Sequence, residues 1–434
     1  MLRLARRPIR IFNSYVARFG DNFILSVGGT RKTHFTVDAD VAQHVLQRNH
    51  RNYEKSEIQT AVMGKYLGYG LLTNSGSDWL RQRRLIQPGF HRNRLLKLTE
   101  AMQRVVEAEC AAAARQPTID LFTFTRNTAY RIIVRAIFTD DLPQGETDAF
   151  QSILDRLQAY VVHPIRLPFL RGPLRWLGKE AKNLALAKES RDMLRRLIRN
   201  RRETEGTAYD DLLQMLLDTR YEDTGEAMTE EQLIDELTIL FAAGYETSAN
   251  ALAWTIWLLL KDAEVRKRLT DTLATASEGQ PPPPYLTQII NESLRLYPPA
   301  WITDRIALAP DEAAGFAIDQ GTTIGIYIYG IHRNGRYYND PDRFDPDRMT
   351  EEAMKQRPAF SFLPFGGGPR LCIGHHFAYL EMQLFLAHLF ARYTISPSGA
   401  LPKLSPTPFI TLHQDKPVAI RLECCRRMGQ TGGD

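Results

Sequence analysis

Cysteine is scarce: the 434 residues hold four, Cys110, Cys372, Cys424 and Cys425. Four thiols, two of them adjacent in a basic, Gly-containing tail, do not make a disulfide framework, and a reducing cytoplasm is the compartment they fit. No run of about 18 apolar residues occurs, so no membrane anchor is encoded. Neither sign of charge dominates: 55 Lys and Arg against 50 Asp and Glu leave +5, too little to imply nucleic-acid binding. No period of about 20 to 50 residues recurs, which sets aside repeat arrays. No G-x-G-x-x-G opens a βαβ unit, so the chain carries no dinucleotide site of its own. Acid is missing from the first 20 residues, which contain five arginines. That overlaps with a mitochondrial transit peptide, but Pro8 to Gly20 followed by Asn22 to Gly28 reads better as a helix leading into a strand.

What is present is an ordinary globular composition, 44% hydrophobic and 24% charged, in a chain long enough to enclose a cofactor. Two short strands with a Gly28-Gly29 turn are expected between Asn22 and Val37, then a helix around Asp40 to Gln47. Tyr53 to Asn74 reads as a long irregular loop. Asp78 to about Asp218 is mainly helical, interrupted at Pro164, Pro168 and Pro173. After the polar turn Asp223 to Glu226, Thr229 and Gln232 form a capping box that opens a long helix. Pro281 to Pro284 reads as a non-helical polyproline spacer, followed by a helix from Tyr285 to Leu296 stopped by Pro298-Pro299. Trp301 to Ile331 alternates strand-like runs with turns. A last helix covers about Gly374 to Tyr393, and short strands follow to Leu422. No break has the composition of a linker. The expectation is one mainly α domain, residues 1–434, with small β-sheets near both ends.

The most informative segment is Phe365-Gly366-Gly367-Gly368-Pro369-Arg370-Leu371-Cys372-Ile373-Gly374. Its glycines permit a tight turn and close backbone approach. Cys372 precedes a helix N-terminus, where free N–H groups and the helix dipole favour a thiolate, and Arg370 adds positive charge. A thiolate that donates electron density is what haem iron needs for O–O cleavage. A zinc site would want more ligands than Cys372, His375 and His376 supply, and a buried structural cysteine needs neither the glycines nor the arginine.

The long helix carries Ala243-Gly244-Tyr245-Glu246-Thr247-Ser248 in its apolar middle. A buried carboxylate is costly unless paired, and mid-helix Ser and Thr compete for backbone carbonyls. Accepting both invites a functional reading, with Gly244 leaving room for a flat ligand or O2. Glu292 and Arg295 lie three apart among apolar neighbours and share a helix face, which predicts a partly buried pair. Trp79 and Arg83, four apart, also share one. Arg81, Arg83, Arg84, Arg92, Arg94 and Lys97 form a basic cluster, read either as a solvated helix face or as a docking patch for an acidic electron-transfer protein.

These segments, in this order, resemble the cytochrome P-450 superfamily of haem-thiolate monooxygenases. F-x-x-G-x-R-x-C-x-G matches at every defining position, Ala378 fits the small residue beyond it, and the likeness covers nearly the whole chain. The resemblance implies the single-domain P-450 fold and haem b, with Cys372 as axial ligand of the iron. It implies Glu246 as proton-relay acid and Thr247 as the hydroxyl that hydrogen-bonds reduced dioxygen, with Ala243 and Gly244 beside the haem. It also implies propionate binding by Trp79, Arg83, Arg305 and Arg370, packing of Phe365, Gly366 and Gly374 about the thiolate loop, and a structural trio Glu292, Arg295 and Arg348. Arg348 stands in Pro346-Asp347-Arg348-Met349 where the family usually has P-E-R-F. By family placement the substrate pocket draws on Phe241, Ala242, Ala300, Trp301, Ile302, Phe409 and Ile410, which suits a lipophilic molecule such as a terpenoid, fatty acid or carotenoid. Electrons come from NAD(P)H through a ferredoxin and its reductase, and the expected form is a soluble, bacterial, cytoplasmic monomer. Two rival readings stand beside this one: a peroxide-driven peroxygenase or isomerase, against which Glu246-Thr247 argues, and a haem sensor or ligand carrier, which has no need of a proton relay.

Overall fold

The computed structural model describes residues 7–27, 31–139, 144–167, 170–203, 209–275 and 281–425. The helices that frame the site are α1 (Pro8–Phe19), α2 (Gly76–Ile86), α3 (Leu121–Phe138), α4 (Gln144–Arg166), α5 (Lys179–Glu203), α6 (Glu230–Lys261), α7 (Pro284–Leu296) and α8 (His375–Arg392). Among the described residues no helix is long and apolar enough to cross a membrane.

Helix α6 is the axis. Thr229 Oγ1 accepts from the Gln232 amide and the Gln232 side chain reaches back to the Thr229 amide, so the anticipated capping box satisfies two otherwise orphaned donors. The helix is apolar on nearly every side and buried along most of its 32 residues, packing on α3, α7 and α8. Each fully buried Leu or Ile along it contributes roughly 1.5–3 kcal/mol. Near its C-terminal end the Trp254 ring stacks on Tyr297 at 3.8 Å, and Trp254 Nε1 donates to Leu412 O at 3.0 Å. That bond fastens the C-terminal part of the chain to the central helix.

The strands form four small sheets. The largest has the order β1-β2-β8-β5-β3, made of Asn22–Val27, Arg31–Thr36, Thr323–Ile326, Thr303–Ala307 and Tyr53–Glu54. Its β2–β8 pair is parallel, with Thr33 opposite Thr323. β6 (Asp311–Ala313) pairs with β7 (Phe316–Ile318). β4 (Ile119–Asp120) and β9 (Tyr393–Pro397) flank β12 (Ala419–Cys424), and β10 (Pro406–Pro408) pairs with β11 (Leu412–Gln414) as a hairpin. Two apolar clusters result, a helical one centred on α6 and a smaller one between α1 and the five-stranded sheet.

Several local expectations change. The Tyr53–Asn74 stretch is not irregular throughout: β3 is followed by a π-helical run, Ile58–Met63, and a helical turn, Gly64–Leu67. The predicted helix near Asp40 begins at Ala39, capped by the Asp38 carboxylate, and continues as a π-helical stretch, His44–Arg48. Pro284 is helical after all. It opens α7, because the first turn of a helix has no use for the missing N–H. Pro164 sits inside α4 and Pro173 in the short helix Arg171–Trp176, so neither separates helices. Pro168 and the Gly28-Gly29 turn lie outside the described residues.

Candidate active site

The loop before α8 is built by its glycines. Gly366 and Gly368 have φ of 74° and 67°, a region side chains avoid. At Gly368 a Cβ would also stand 1.8 Å from Leu46 O, so the loop lies directly on the backbone of the His44–Arg48 stretch. The Cys372 amide donates to Phe365 O at 3.0 Å, closing the loop, and the half-buried Phe365 ring packs on Tyr379 of α8 at 5.2 Å. Gly374 is the residue that enters α8. Cys372 is open at the surface of this inner wall yet deep within the protein. Burial pushes its thiol up, while the Gly374 amide and the nearby Arg83 charge pull it down. A group that binds the sulfur as thiolate gains from those two.

Trp79 and Arg83 do share a face of α2, but they turn to different partners. Arg83 Nη1 donates to Leu371 O at 2.9 Å, on the cysteine side. The Cys372 charge acts on it as well. Arg370 instead lies over the Trp79 ring at 4.1 Å and donates to Asn74 O. With it come Arg305, which is buried, and Lys55, which no motif singles out. Burial first, and then the repulsion of Arg370 and Arg305, push the Lys55 ammonium well down. Burial likewise pushes Arg305 and Arg370 each down to about 10. The hydrogen bonds of these three cations go to neutral oxygens, Leu71 O, Leu72 O, Thr303 Oγ1, Asp304 O and Asn74 O. Converging cations without a carboxylate in hydrogen-bond contact suit a doubly anionic ligand. A thiol on an open inner wall, a glycine loop and this cationic cluster together fit haem.

On α6 the side chains at 243–248 divide by face. Ala243 is exposed and Thr247 half-exposed, one turn apart, in a stretch otherwise buried. Thr247 Oγ1 donates to Ala243 O at 2.8 Å. Gly244 has a different reason than room for a ligand: a Cβ there would press Ile133 Cδ1 of α3 at 3.2 Å, so helix packing accounts for the glycine. Glu246 points to the buried side. Its Oε1 accepts from Thr411 Oγ1 at 2.5 Å and lies 2.6 Å from His413 Nε2, while Oε2 is buried with no partner. Neither Thr411 nor His413 carries a sequence signal toward Glu246, from which they lie 165 and 167 residues away.

The structural trio is assembled as expected, and more deeply than the flanks suggested. Glu292 and Arg295 have no exposed side-chain surface, and Arg348 Nε lies 3.1 Å from Glu292 Oε1. Arg295 also donates to His332 O and Pro341 O, both at 2.7 Å. These bonds knit α7 to the meander that leads into the cysteine loop.

The pocket residues separate. Ala300 and Phe409 are exposed, and Ile302 and Ile410 half-buried. Trp301 is buried, with Nε1 donating to Phe409 O at 3.2 Å, so it braces the β10–β11 hairpin. Phe241 and Ala242 leave the pocket set. Phe241 is wedged among Tyr130, Phe138 and Phe150, and Ala242 is buried with its carbonyl accepting from Gln158 of α4.

The basic cluster is partly neutralised. Arg81 pairs with Asp223 and lies over Tyr221, and Arg94 and Lys97 share Asp210. Arg84 is exposed; the Arg92 side chain is outside the described set.

Comparison with known proteins agrees with this geometry. The family model described as Cytochrome P-450 matches residues 1–420. Pentalenene oxygenase of Streptomyces avermitilis is 32% identical, over 97% of this chain and 94% of that protein. Cyclooctatin synthase of Streptomyces melanosporofaciens is 30% identical over 95% and 90%. The crystal structure of the cytochrome P-450DA heme domain superposes with a TM-score of 0.84 at 21% identity, covering 97% of this chain and 94% of that one. With both its sequence and its fold matched from end to end, the chain belongs to the cytochrome P-450 family of haem b monooxygenases.

Proposed function

We propose that this monooxygenase oxidises a lipophilic terpenoid-type hydrocarbon, taking electrons through a ferredoxin and its reductase in the cytoplasm, and that residues 1–434 act as one domain. The observation that carries the site assignment is Cys372: a thiol on an open inner wall, its amide bonded to the Phe365 carbonyl, whose charged form burial disfavours while the Gly374 amide and Arg83 favour it. In this reading Cys372 ligates the iron, and Lys55, Arg305 and Arg370, with Trp79 beneath Arg370, hold the propionates. Haem bound through a thiolate supplies the redox centre at which O2 is activated.

The remaining work falls to side chains. Thr247 keeps its hydroxyl on the exposed face of α6 by donating to Ala243 O, where it can hold a proton near the reacting oxygen. Glu246 lies next in sequence, with one oxygen bound and the other without a partner, the arrangement of a group that passes a proton onward. Ala300, Ile302, Phe409 and Ile410 offer an apolar wall for the substrate. The substrate class draws support from the relatives, whose names include pentalenene oxygenase and cyclooctat-9-en-7-ol 5-monooxygenase. Arg84, exposed on α2 near the cysteine side, is the strongest remaining candidate for ferredoxin contact.

The test is the carbon monoxide difference spectrum of the dithionite-reduced protein, followed by spin-state titration with sesquiterpenes, diterpenes, fatty acids and carotenoids. A strongly red-shifted Soret band, lost in Cys372→Ser, and a high-spin shift with terpenes alone are expected. A histidine-type band would overturn the ligand assignment. A shift with fatty acids alone would overturn the substrate class.

A further inference from the structure

The partners of Glu246 come from the other end of the chain. The β10–β11 hairpin brings Thr411 and His413 onto the buried carboxylate, and His413 Nε2 lies 2.6 Å from Glu246 Oε1. At that distance from a carboxylate oxygen the ring nitrogen is a donor. The imidazole is held between two rings, Phe122 of α3 at 5.1 Å and Phe409 at 5.2 Å, with about a fifth of its side chain still exposed, 21% against 8% for Glu246. Its Nδ1 makes no hydrogen bond among the described residues. The Glu246–His413 pair thus forms a chain: an unpartnered buried Oε2, a bound Oε1, a ring nitrogen bonded to it, and a second ring nitrogen on a partly exposed ring.

Among the described residues, Arg166 of α4 lies over the Phe409 ring at 5.7 Å, and the charged groups bonded about the pair form one small network. Asp155 of α4 feels the charges of both Glu246 and His413. It accepts from Tyr245 Oη at 2.6 Å and pairs with Arg126 of α3 at 3.2 Å. Asn250 of α6 donates to Glu246 O at 3.0 Å and to Thr411 Oγ1 at 3.2 Å. Arg126 answers Asp155, and His413 is the group left to answer Glu246.

We propose that His413 is the outer proton carrier for Glu246, resupplying from solvent each proton that Glu246 passes inward. The inference rests on the relay role of Glu246 given above. Nδ1 takes a proton from hydronium, leaving water, and the imidazolium releases its Nε2 proton to the Glu246 carboxylate at Oε1. The products are neutral imidazole and a neutral carboxylic acid. No electrons move, and exchange of the ring proton with water restores the starting tautomer. Thr411 Oγ1, which also donates to Oε1, keeps the carboxylate in place but titrates nowhere near neutral pH. His413 is the titratable partner.

Two measurements on the haem-loaded chain test this. The first is the pH titration of the His413 ring nitrogens by NMR in the diamagnetic carbon-monoxide-bound ferrous protein, assigned by the signal missing in His413→Gln. The titration curve of the ring is expected to differ between the wild type and Glu246→Gln, because Nε2 loses its carboxylate partner. Identical curves would overturn the pairing. The second needs neither substrate nor partner: peroxide yield during O2 reduction by protein adsorbed on a ring–disk electrode, followed against pH. His413→Phe and His413→Gln should both release about fivefold or more peroxide for the same current. Gln keeps a donor to Glu246 but cannot carry a proton. A wild-type yield in His413→Gln would therefore reduce His413 to a positioning residue and sink the proposal, and wild-type yields in both variants would do the same. Glu246→Gln separates the two levels of inference. If it raises peroxide while the His413 variants do not, only the His413 step falls; if it too behaves as wild type, the relay role of Glu246 is what fails.

Discussion

Glu292→Gln is the sharpest test of how the fold holds the cysteine loop. The carboxylate accepts Arg295 Nε at 2.7 Å, Arg295 Nη2 at 2.8 Å and the Asp345 amide at 3.0 Å, and it faces Arg348 at 3.1 Å. The amide of Gln is nearly isosteric, so little packing is lost. What is lost is the one acid paired with Arg295 among the described residues; Arg295 has no exposed side-chain surface, and its other hydrogen-bond partners are carbonyls. Removing one partner of a buried pair costs about 3–5 kcal/mol, a large share of a total stability of about 5–15 kcal/mol. With an unfolding entropy of about 2.1 cal/mol/K per residue, this chain should lose roughly 3–6 °C in unfolding temperature. The assay is differential scanning calorimetry alongside haem content per mole of protein. The control is Asp347→Asn, which breaks the Arg268–Asp347 pair whose side chains are 54% and 61% exposed; such a pair contributes about 0–1 kcal/mol. A Glu292→Gln protein that melts within a degree of wild type, or no lower than the Asp347 control, would refute the reasoning.

Thr247→Ala should keep haem and fold but release more peroxide at the expense of product, read as hydrogen peroxide per O2 consumed; an unchanged ratio removes Thr247 from proton handling. Arg84→Glu should slow reduction by an acidic ferredoxin severalfold at low salt and little at high salt, as stopped-flow reduction would reveal, and equal rates at low salt would place the docking surface elsewhere. Burial pushes the carboxyl of Glu381, on α8, up to about 8, with Ser248 offsetting a little. The native state therefore holds a proton that the unfolded chain gives up near pH 4.5, so this group's stabilising contribution is full in acid and fades as pH rises toward 8. Glu381→Gln should flatten the fall in stability across that window; a slope identical to wild type would count against a buried, protonated Glu381.

What could be read from the residues was local or repeated a known pattern. The Thr229–Gln232 capping box and the Glu292–Arg295 pair span three residues each, so helix geometry alone predicts their contact. The positive-φ glycines at 366 and 368 were legible as glycines, though the reason for Gly368, the Leu46 carbonyl, was not. His413, Thr411 and Lys55 escaped because tertiary folding alone brings them to the site, and a lone histidine or lysine in a strand-rich segment has no distinguishing neighbours. Two further partners were not legible: Leu371 O, which accepts from Arg83, and Ile133, which packs on Gly244.

The largest sheet has a consequence for how the molecule is made. Its parallel seam joins Thr33 to Thr323, about 290 residues apart, and β4, just ahead of α3, waits for Ala419 and Ile420 in β12. During synthesis β2 must therefore remain unpaired on this side until Thr323–Ile326 have emerged, and β4 until Ala419 and Ile420 have. Non-local pairing of this kind is slow and leaves strand edges open meanwhile. Because the Gly368 turn rests on the backbone at Leu46, the cysteine loop belongs to the same late closure. The chain can offer a finished cradle to its cofactor only after these distant strands have been made, and a shortage of haem at that moment would meet a molecule whose paired segments are still searching for each other.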